Sequence, residues 1–201
     1  MRVSATNIDA FRRWRDNEDA DLDELIAQLR KELPPTEPML AGSAFHKALE
    51  HAEYGEAMVL EADGYRFDLD LDGELDLPAI RELKATREYV IDGEPVTLVC
   101  VADTMHGRRV DDHKFTGRFD PERFMAGYQW RVNLEVFEAD EFRWNVFEGS
   151  PVGDRHYRIH ALHTLAMRRY PGMGNDVVRE LGEFLDFARI HLPERFQQEA
   201  A

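Results

Sequence analysis

Three charged side chains in one short stretch have the types and spacing of a hydrolytic centre. The stretch is V-C-V-A-D-T-M-H-G-R-R-V-D-D-H-K-F-T, Val99 to Thr116. Thr97 to Val101 and Arg109 to Lys114 carry strand-type residues, and His106-Gly107 sits between them where a hairpin must reverse. Asp103 falls near the end of the first strand. Side chains alternate along a strand, so Asp112 and Lys114 share one face and His113 takes the other. Two carboxylates and an ammonium then meet at one sheet edge. Carboxylate oxygens suit hard divalent cations such as Mg²⁺ or Mn²⁺. An ammonium beside them can orient a water or steady a phosphate oxygen, an inventory that fits metal-assisted phosphodiester hydrolysis. A lone D-x-K is also common on solvated strands, so the chemistry needs a second element.

That element is A-G-S-A-F-H-K-A-L-E, Ala41 to Glu50. Ser43 is placed to cap a helix, and Gly42 would let the helix start approach another backbone. His46 and Glu50, four apart, lie on one helical face. A neutral imidazole is a good metal ligand, although an exposed His–Glu pair is the commoner outcome of such spacing. Further on, Phe124, Tyr128, Val132 and Val136 recur at helical intervals as core residues. Gln129 lies on another side of that helix, facing water or a substrate.

The supporting elements follow the chain. Residues 9–33 read as helical, with a very acidic run from Asp16 to Glu24. Pro34, Pro35 and Pro38 mark residues 34–40 as a linker or an approach to the site. Residues 57–77 alternate as strands about an Asp72-Gly73 turn. They imitate the opening of a calcium loop but lack a glutamate at its twelfth position. Residues 82–91 form another strand; Glu88 could reach the cluster from it, but a surface place is the commoner outcome. Residues 121–137 read as helical, Phe142–Phe147 and Tyr157–Ala161 as strands, and a last helix runs to about His191 with Val177, Val178, Leu181, Leu185 and Ala188 inward. The fold class is α/β: a central mixed sheet flanked by helices on both faces, the site at one sheet edge. The 201 residues make a single domain: a helical segment 1–33, a motif-bearing core 41–147, and a C-terminal strand and helix 148–201.

Bulk properties narrow the classes. Hydrophobic residues make up 43% of the chain, enough for a core. No apolar run approaches the ~18 residues of a membrane span, and no signal-peptide core is present. The single cysteine, Cys100, excludes an internal disulfide and an all-cysteine metal site within the chain. It fits a reducing, cytoplasmic setting. The net charge of −15 opposes a nucleic-acid partner at first sight. It is unevenly spread: residues 1–94 hold 23 acidic and 11 basic side chains, residues 95–201 hold 17 and 14. Arg108, Arg109, Arg118, Arg123, Arg131, Arg168 and Arg169 lie in the later part and allow a local basic groove. The opposing reading is a non-catalytic acidic protein that imitates DNA or binds a basic partner.

Taken in order, the G-S-A-F-H-K-A-L-E helix, the D…D-D-H-K hairpin and the Y-Q-W-R-V-N helix resemble the RecB-like, phage-type exonuclease branch of the PD-(D/E)XK nuclease superfamily. That group pairs a G-x-x-x-H-x-x-x-E helix with D…D-x-K strands and a later Q-x-x-x-Y helix. The resemblance spans Ala41 to Phe147. It implies a DNA nuclease of recombination or repair. His46, Asp103 and Asp112 would be metal ligands, with the backbone carbonyl of His113. Lys114 would position the attacking water, and Gln129 would touch the site from its helix; Glu50 belongs to the motif with a less defined role. It also implies Mg²⁺ or Mn²⁺ as cofactor, DNA and a single-strand annealing protein as partners, and a toroidal oligomer as found among related exonucleases. Some relatives carry a four-cysteine iron–sulfur cluster, which this chain cannot build. Asn133 stands where the motif has tyrosine, and Cys100 where many relatives have glycine.

Overall fold

The computed structural model describes residues 1–52, 59–71 and 80–197. Among the described residues, eight strands form one mixed sheet: β1 (Arg2–Ser4), β2 (Val59–Ala62), β3 (Tyr65–Leu69), β4 (Ile80–Ile91), β5 (Glu94–His106), β6 (Arg109–Thr116), β7 (Glu141–Gly153) and β8 (His156–Arg168). The path is β1-β5-β6-β7-β8-β3-β2, and β4 pairs with β5. Parallel pairs (β1/β5, β6/β7, β3/β8) mix with antiparallel ones (β4/β5, β5/β6, β7/β8, β2/β3). The helices are α1 (Ala5–Arg15), α2 (Leu22–Arg30), α3 (Glu37–His51), α4 (Pro121–Ala126), α5 (Gln129–Val136), α6 (Met173–His191) and α7 (Glu194–Gln197).

Strand alternation puts helices on both faces. On β7, Phe147 packs against Phe45 of α3 with ring centroids 4.9 Å apart, while its neighbour Val146 joins Trp130 and Leu134 of α5 in a separate apolar cluster. Adjacent strand residues point oppositely, so α3 and α5 cover opposite faces. Under α3 lie Phe67, Phe147, Ile159 and Leu60. On the other side α1 and α6 bury Ile8, Phe11, Leu181 and Phe184 against Val96, Leu98 and Cys100 of β5. Gly149 sits at a register shift between β7 and β8, where a Cβ would come within 2.7 Å of the Arg158 carbonyl oxygen. No helix among the described residues is long and apolar enough to cross a membrane.

Local chemistry corrects several boundaries. The 9–33 segment is two helices, because Asp21 turns its carboxylate onto the amides of Asp23 and Glu24 and starts α2 afresh. Helix α3 starts at Glu37, inside the expected linker. Pro38 falls in its first turn, where a missing N–H costs nothing. Ser43 therefore lies inside the helix rather than capping it, and Gly42 has no neighbour within 4 Å of where a Cβ would stand. The 121–137 helix is split at Gly127 into α4 and α5. In α6, Val178 faces solvent, and Phe184 and Phe187 take the core positions. The Asp72-Gly73 turn lies outside the described residues.

Phe45 is wholly buried and touches Phe67, Phe115 and Phe147. Phe45→Ala should destabilise the protein by about 3–5 kcal/mol in urea unfolding; a loss under about 1 kcal/mol would show that α3 is not seated as described. Burial pushes the Cys100 thiol up to about 12, so its reactive thiolate is absent near neutral pH. A thiol reagent at pH 8 should leave the native protein unmodified and titrate one thiol after denaturation.

Candidate active site

The site forms where two strands separate. β5 and β6 pair only near their turn, at Thr104–Asp111, Met105–Val110 and His106–Arg109. Beyond it β6 runs along β7, from Arg109–Glu141 to Thr116–Glu148, and β5 takes β1 as a neighbour at Thr97–Val99. Asp103 and Asp112 stand on either side of this fork. The Asp103 carboxylate bridges it: its Oδ2 accepts the His113 backbone N–H at 2.6 Å, replacing a ladder bond. The same oxygen lies 3.3 Å from Nδ1 of His46. His46 arrives there because the preceding residue, Phe45, anchors α3 in the aromatic cluster.

Asp112 is held from the other face. Its Oδ1 forms an ion pair with Lys114 Nζ, and its Oδ2 accepts a hydrogen bond from Gln129 Nε2. Asp112 is buried, and Lys114 extends over the Trp144 ring, 5.5 Å from its centroid. Gln129 opens α5, a helix whose N-cap position, Tyr128, offers no side-chain cap. Asp9 of α1 caps it instead, accepting the Tyr128 N–H on Oδ1 at 2.5 Å. Asn133, in the motif tyrosine's place, is buried and donates from Nδ2 to the Gln129 carbonyl at 2.9 Å. It braces α5 internally.

Burial and like charges set the protonation states. Desolvation, then repulsion from Asp112, holds the Asp103 carboxyl well above the usual carboxylate range, against the pull of Lys114. Burial alone would lower the Lys114 ammonium, but Asp112 and Asp103 more than offset it and keep it charged. Burial, then Lys114, lowers His46 to about 4, so its imidazole is neutral at physiological pH with a lone pair to offer. His113 is likewise lowered to about 4, chiefly by burial, and packs on the Phe147 ring.

Thus His46, Asp103 and the His113 amide meet on one side of the fork, and Asp112, Lys114 and Gln129 on the other. Among the described residues, no three His, Cys, Asp or Glu side chains stand grouped so as to hold a metal ion. Glu50, one turn beyond His46, lines a small cavity with His46, Glu82, Asp103, Thr104 and His113. The β4 acid at the site is Glu82. Glu88 lies on the surface, as its spacing favours, accepting the Thr97 hydroxyl hydrogen bond at 2.9 Å. Desolvation, then Glu50 and Asp112, raise the Glu82 carboxyl. Its position opposite Asp103 depends on strand register, which the alternation within β4 does not carry.

A cleft of about 370 Å³ opens on the Lys114 side, lined by Lys114, Gln129 and Trp144, by Arg12, Arg13 and Arg123, and by Asp9 and Asp16, of which Asp16 pairs with Arg12. Of the arginines expected to form a basic groove, Arg123 alone lines it. Two of its cations come from α1, in the acidic half of the chain. Arg108 pairs with Asp140, and Arg109 with the wholly buried Asp111.

No family model matches the chain. No curated protein matches it in sequence. Among solved structures, SSO0001 superposes with a TM-score of 0.55 at 12% identity, over 92% of this chain and 76% of that one. LHK-Exo, an alkaline exonuclease from Laribacter hongkongensis, has a TM-score of 0.47 at 13% identity, over 100% of this chain and 95% of that one. Its complex with dAMP scores the same, over 99% and 94%. The likeness to SSO0001 concerns the α/β fold with its mixed central sheet.

The Asp9 cap gives a testable consequence. Asp9→Ala should lower stability by about 1 kcal/mol and speed amide exchange at the start of α5. Unchanged exchange at Tyr128 and Gln129 would show that Asp9 does not hold the helix that presents Gln129.

Proposed function

We propose that this protein is a divalent-metal-dependent DNA nuclease of the RecB-like branch of the PD-(D/E)XK superfamily, acting as an exonuclease in recombination or repair. One observation carries the proposal: residues far apart in sequence, His46, Asp103, Asp112, Lys114 and Gln129, meet at a single fork between β5 and β6. The donor set suits Mg²⁺ or Mn²⁺. It offers a neutral imidazole and two carboxylates, Asp112 buried and Asp103 partly so, that repel one another, and a cation between them would relieve that repulsion. Asp112 Oδ1 is buried and engaged by the Lys114 ammonium. His46, Asp103, Asp112 and the His113 carbonyl would hold the ion. When bound, it supplies an acidified water and neutralises charge on the phosphate.

The remaining steps belong to the side chains. Lys114 orients the attacking water and offsets negative charge building at phosphorus, a role for a cation that need not be a ligand. Gln129 fixes the second oxygen of Asp112, so the carboxylate cannot rotate. Arg12, Arg13 and Arg123 gather positive charge in the cleft beside Lys114, where a phosphate backbone would lie. The competing reading, a non-catalytic acidic binding protein, draws on the charge of −15 and on Asn133 being spent inside α5.

Linear and closed-circular duplex DNA with Mg²⁺, Mn²⁺ or EDTA separate the two. Degradation of linear DNA alone, abolished by EDTA, is the expected result. Cleavage of circles would make the protein an endonuclease, and no cleavage with either metal would leave the binding protein. Asp112→Asn and Lys114→Ala should each slow cleavage by about 100-fold or more with unchanged circular dichroism. In Mn²⁺ titration calorimetry, Asp112→Asn should lose binding and Lys114→Ala should largely keep it. Equal affinity in wild type and Asp112→Asn would reject the ligand assignment.

A further inference from the structure

Strand β4 carries a feature that no part of the proposed nuclease chemistry uses. Glu82 has a backbone φ of 50°, in the left-handed region that favours glycine. The β4–β5 ladder pairs Arg81 with Thr104 and Leu83 with Ala102, so Glu82 and Asp103 fall in a break between them. The register is the same on both sides of the break, so Glu82 lies across from Asp103. The neighbouring Arg81 clamps this point to α3, donating from Nη1 to the carbonyls of Leu49 (3.1 Å), Glu50 (2.8 Å) and Ala52 (2.7 Å). The strand, the end of the His46 helix and the fork are thereby tied together at Glu82.

Between them is a cavity of about 10 Å³, lined by His46, Glu50, Glu82, Asp103, Thr104 and His113. A space of this size holds about one water. Two lining residues bury polar atoms with no hydrogen-bond partner among the described residues: Thr104 Oγ1 (residue 2% exposed) and His113 Nε2 (residue 4% exposed). A buried polar atom left unpaired is costly. Two of them around a water-sized space, with carboxylates completing the wall, describe a seat for an ordered ligand water.

We propose that Glu82 is a positioning residue of the metal centre: it orders a water in this cavity, and that water completes the shell of the cation held by His46 and Asp103. This rests on the metal-dependent reading above. No motif of the resembled family reaches Glu82.

The test is Mn²⁺ titration calorimetry with thermal unfolding, on wild type, Glu82→Gln, Glu82→Gly, Thr104→Val and the control Glu88→Gln. Glu82→Gln and Glu82→Gly should each weaken Mn²⁺ binding about 10-fold or more, and Thr104→Val by a smaller factor. Glu82→Gly should also raise the melting temperature of the metal-free protein, because glycine adopts this φ without strain. Glu88→Gln removes the same charge from the same strand and should bind as wild type does. Wild-type affinity in Glu82→Gln, or an equal loss in Glu88→Gln, would overturn the role of Glu82 while leaving the nuclease proposal standing. Failure of the wild-type protein itself to bind Mn²⁺ would overturn the metal reading and this inference with it.

Discussion

The hydrogen bond from the His113 amide to the Asp103 carboxylate is the contact on which the site depends. A sheet satisfies each backbone amide with a carbonyl on the next strand. Where β5 and β6 diverge that carbonyl is lost, and a side chain takes its place at 2.6 Å. The substitution closes the ladder and fixes one carboxylate at the mouth of the fork. Asp112 and Lys114 then occupy the facing edge through strand alternation alone. Any cation chemistry of this protein starts from that exchange of a backbone acceptor for a charged one.

The surrounding packing makes the exchange tolerable. A carboxylate in apolar surroundings is expensive unless opposite charge or hydrogen bonds compensate it. Here the compensation arrives from both faces of the sheet. Helix α3 brings a neutral imidazole, seated by Phe45 among Phe67, Phe115 and Phe147. Helix α5 brings Gln129, seated by a cap that belongs to α1. The charge distribution follows the same logic at larger scale. A chain of net charge −15 still gathers Arg12, Arg13 and Arg123 beside Lys114, because the fold brings α1 against the middle of the chain.

What the sequence makes legible is local. The hairpin around Gly107 follows from strand-type residues on either side of a turn, and the shared face of Asp112 and Lys114 from a two-residue period. The mixed sheet with helices on both faces follows from the succession of elements. What it hides is register and reach. Glu82 and Glu88 look equivalent on an isolated strand; only the pairing of β4 with β5 sets Glu82 beside Asp103. Asp9 and Tyr128 are separated by most of the chain, and no periodicity relates them. Pro38 reads as a helix breaker until its place in the first turn of α3 is known. In each case a non-local contact decides the outcome.

The central claim is that His46, Asp103 and Asp112 share one cation. Crystals grown with Mn²⁺ and measured for anomalous scattering address it directly. The account predicts one strong peak at the fork, bonded to the His46 imidazole and to carboxylate oxygens of both aspartates. A peak elsewhere, or crystals in saturating Mn²⁺ with Asp112 still engaged by Lys114 and no peak beside it, would contradict it.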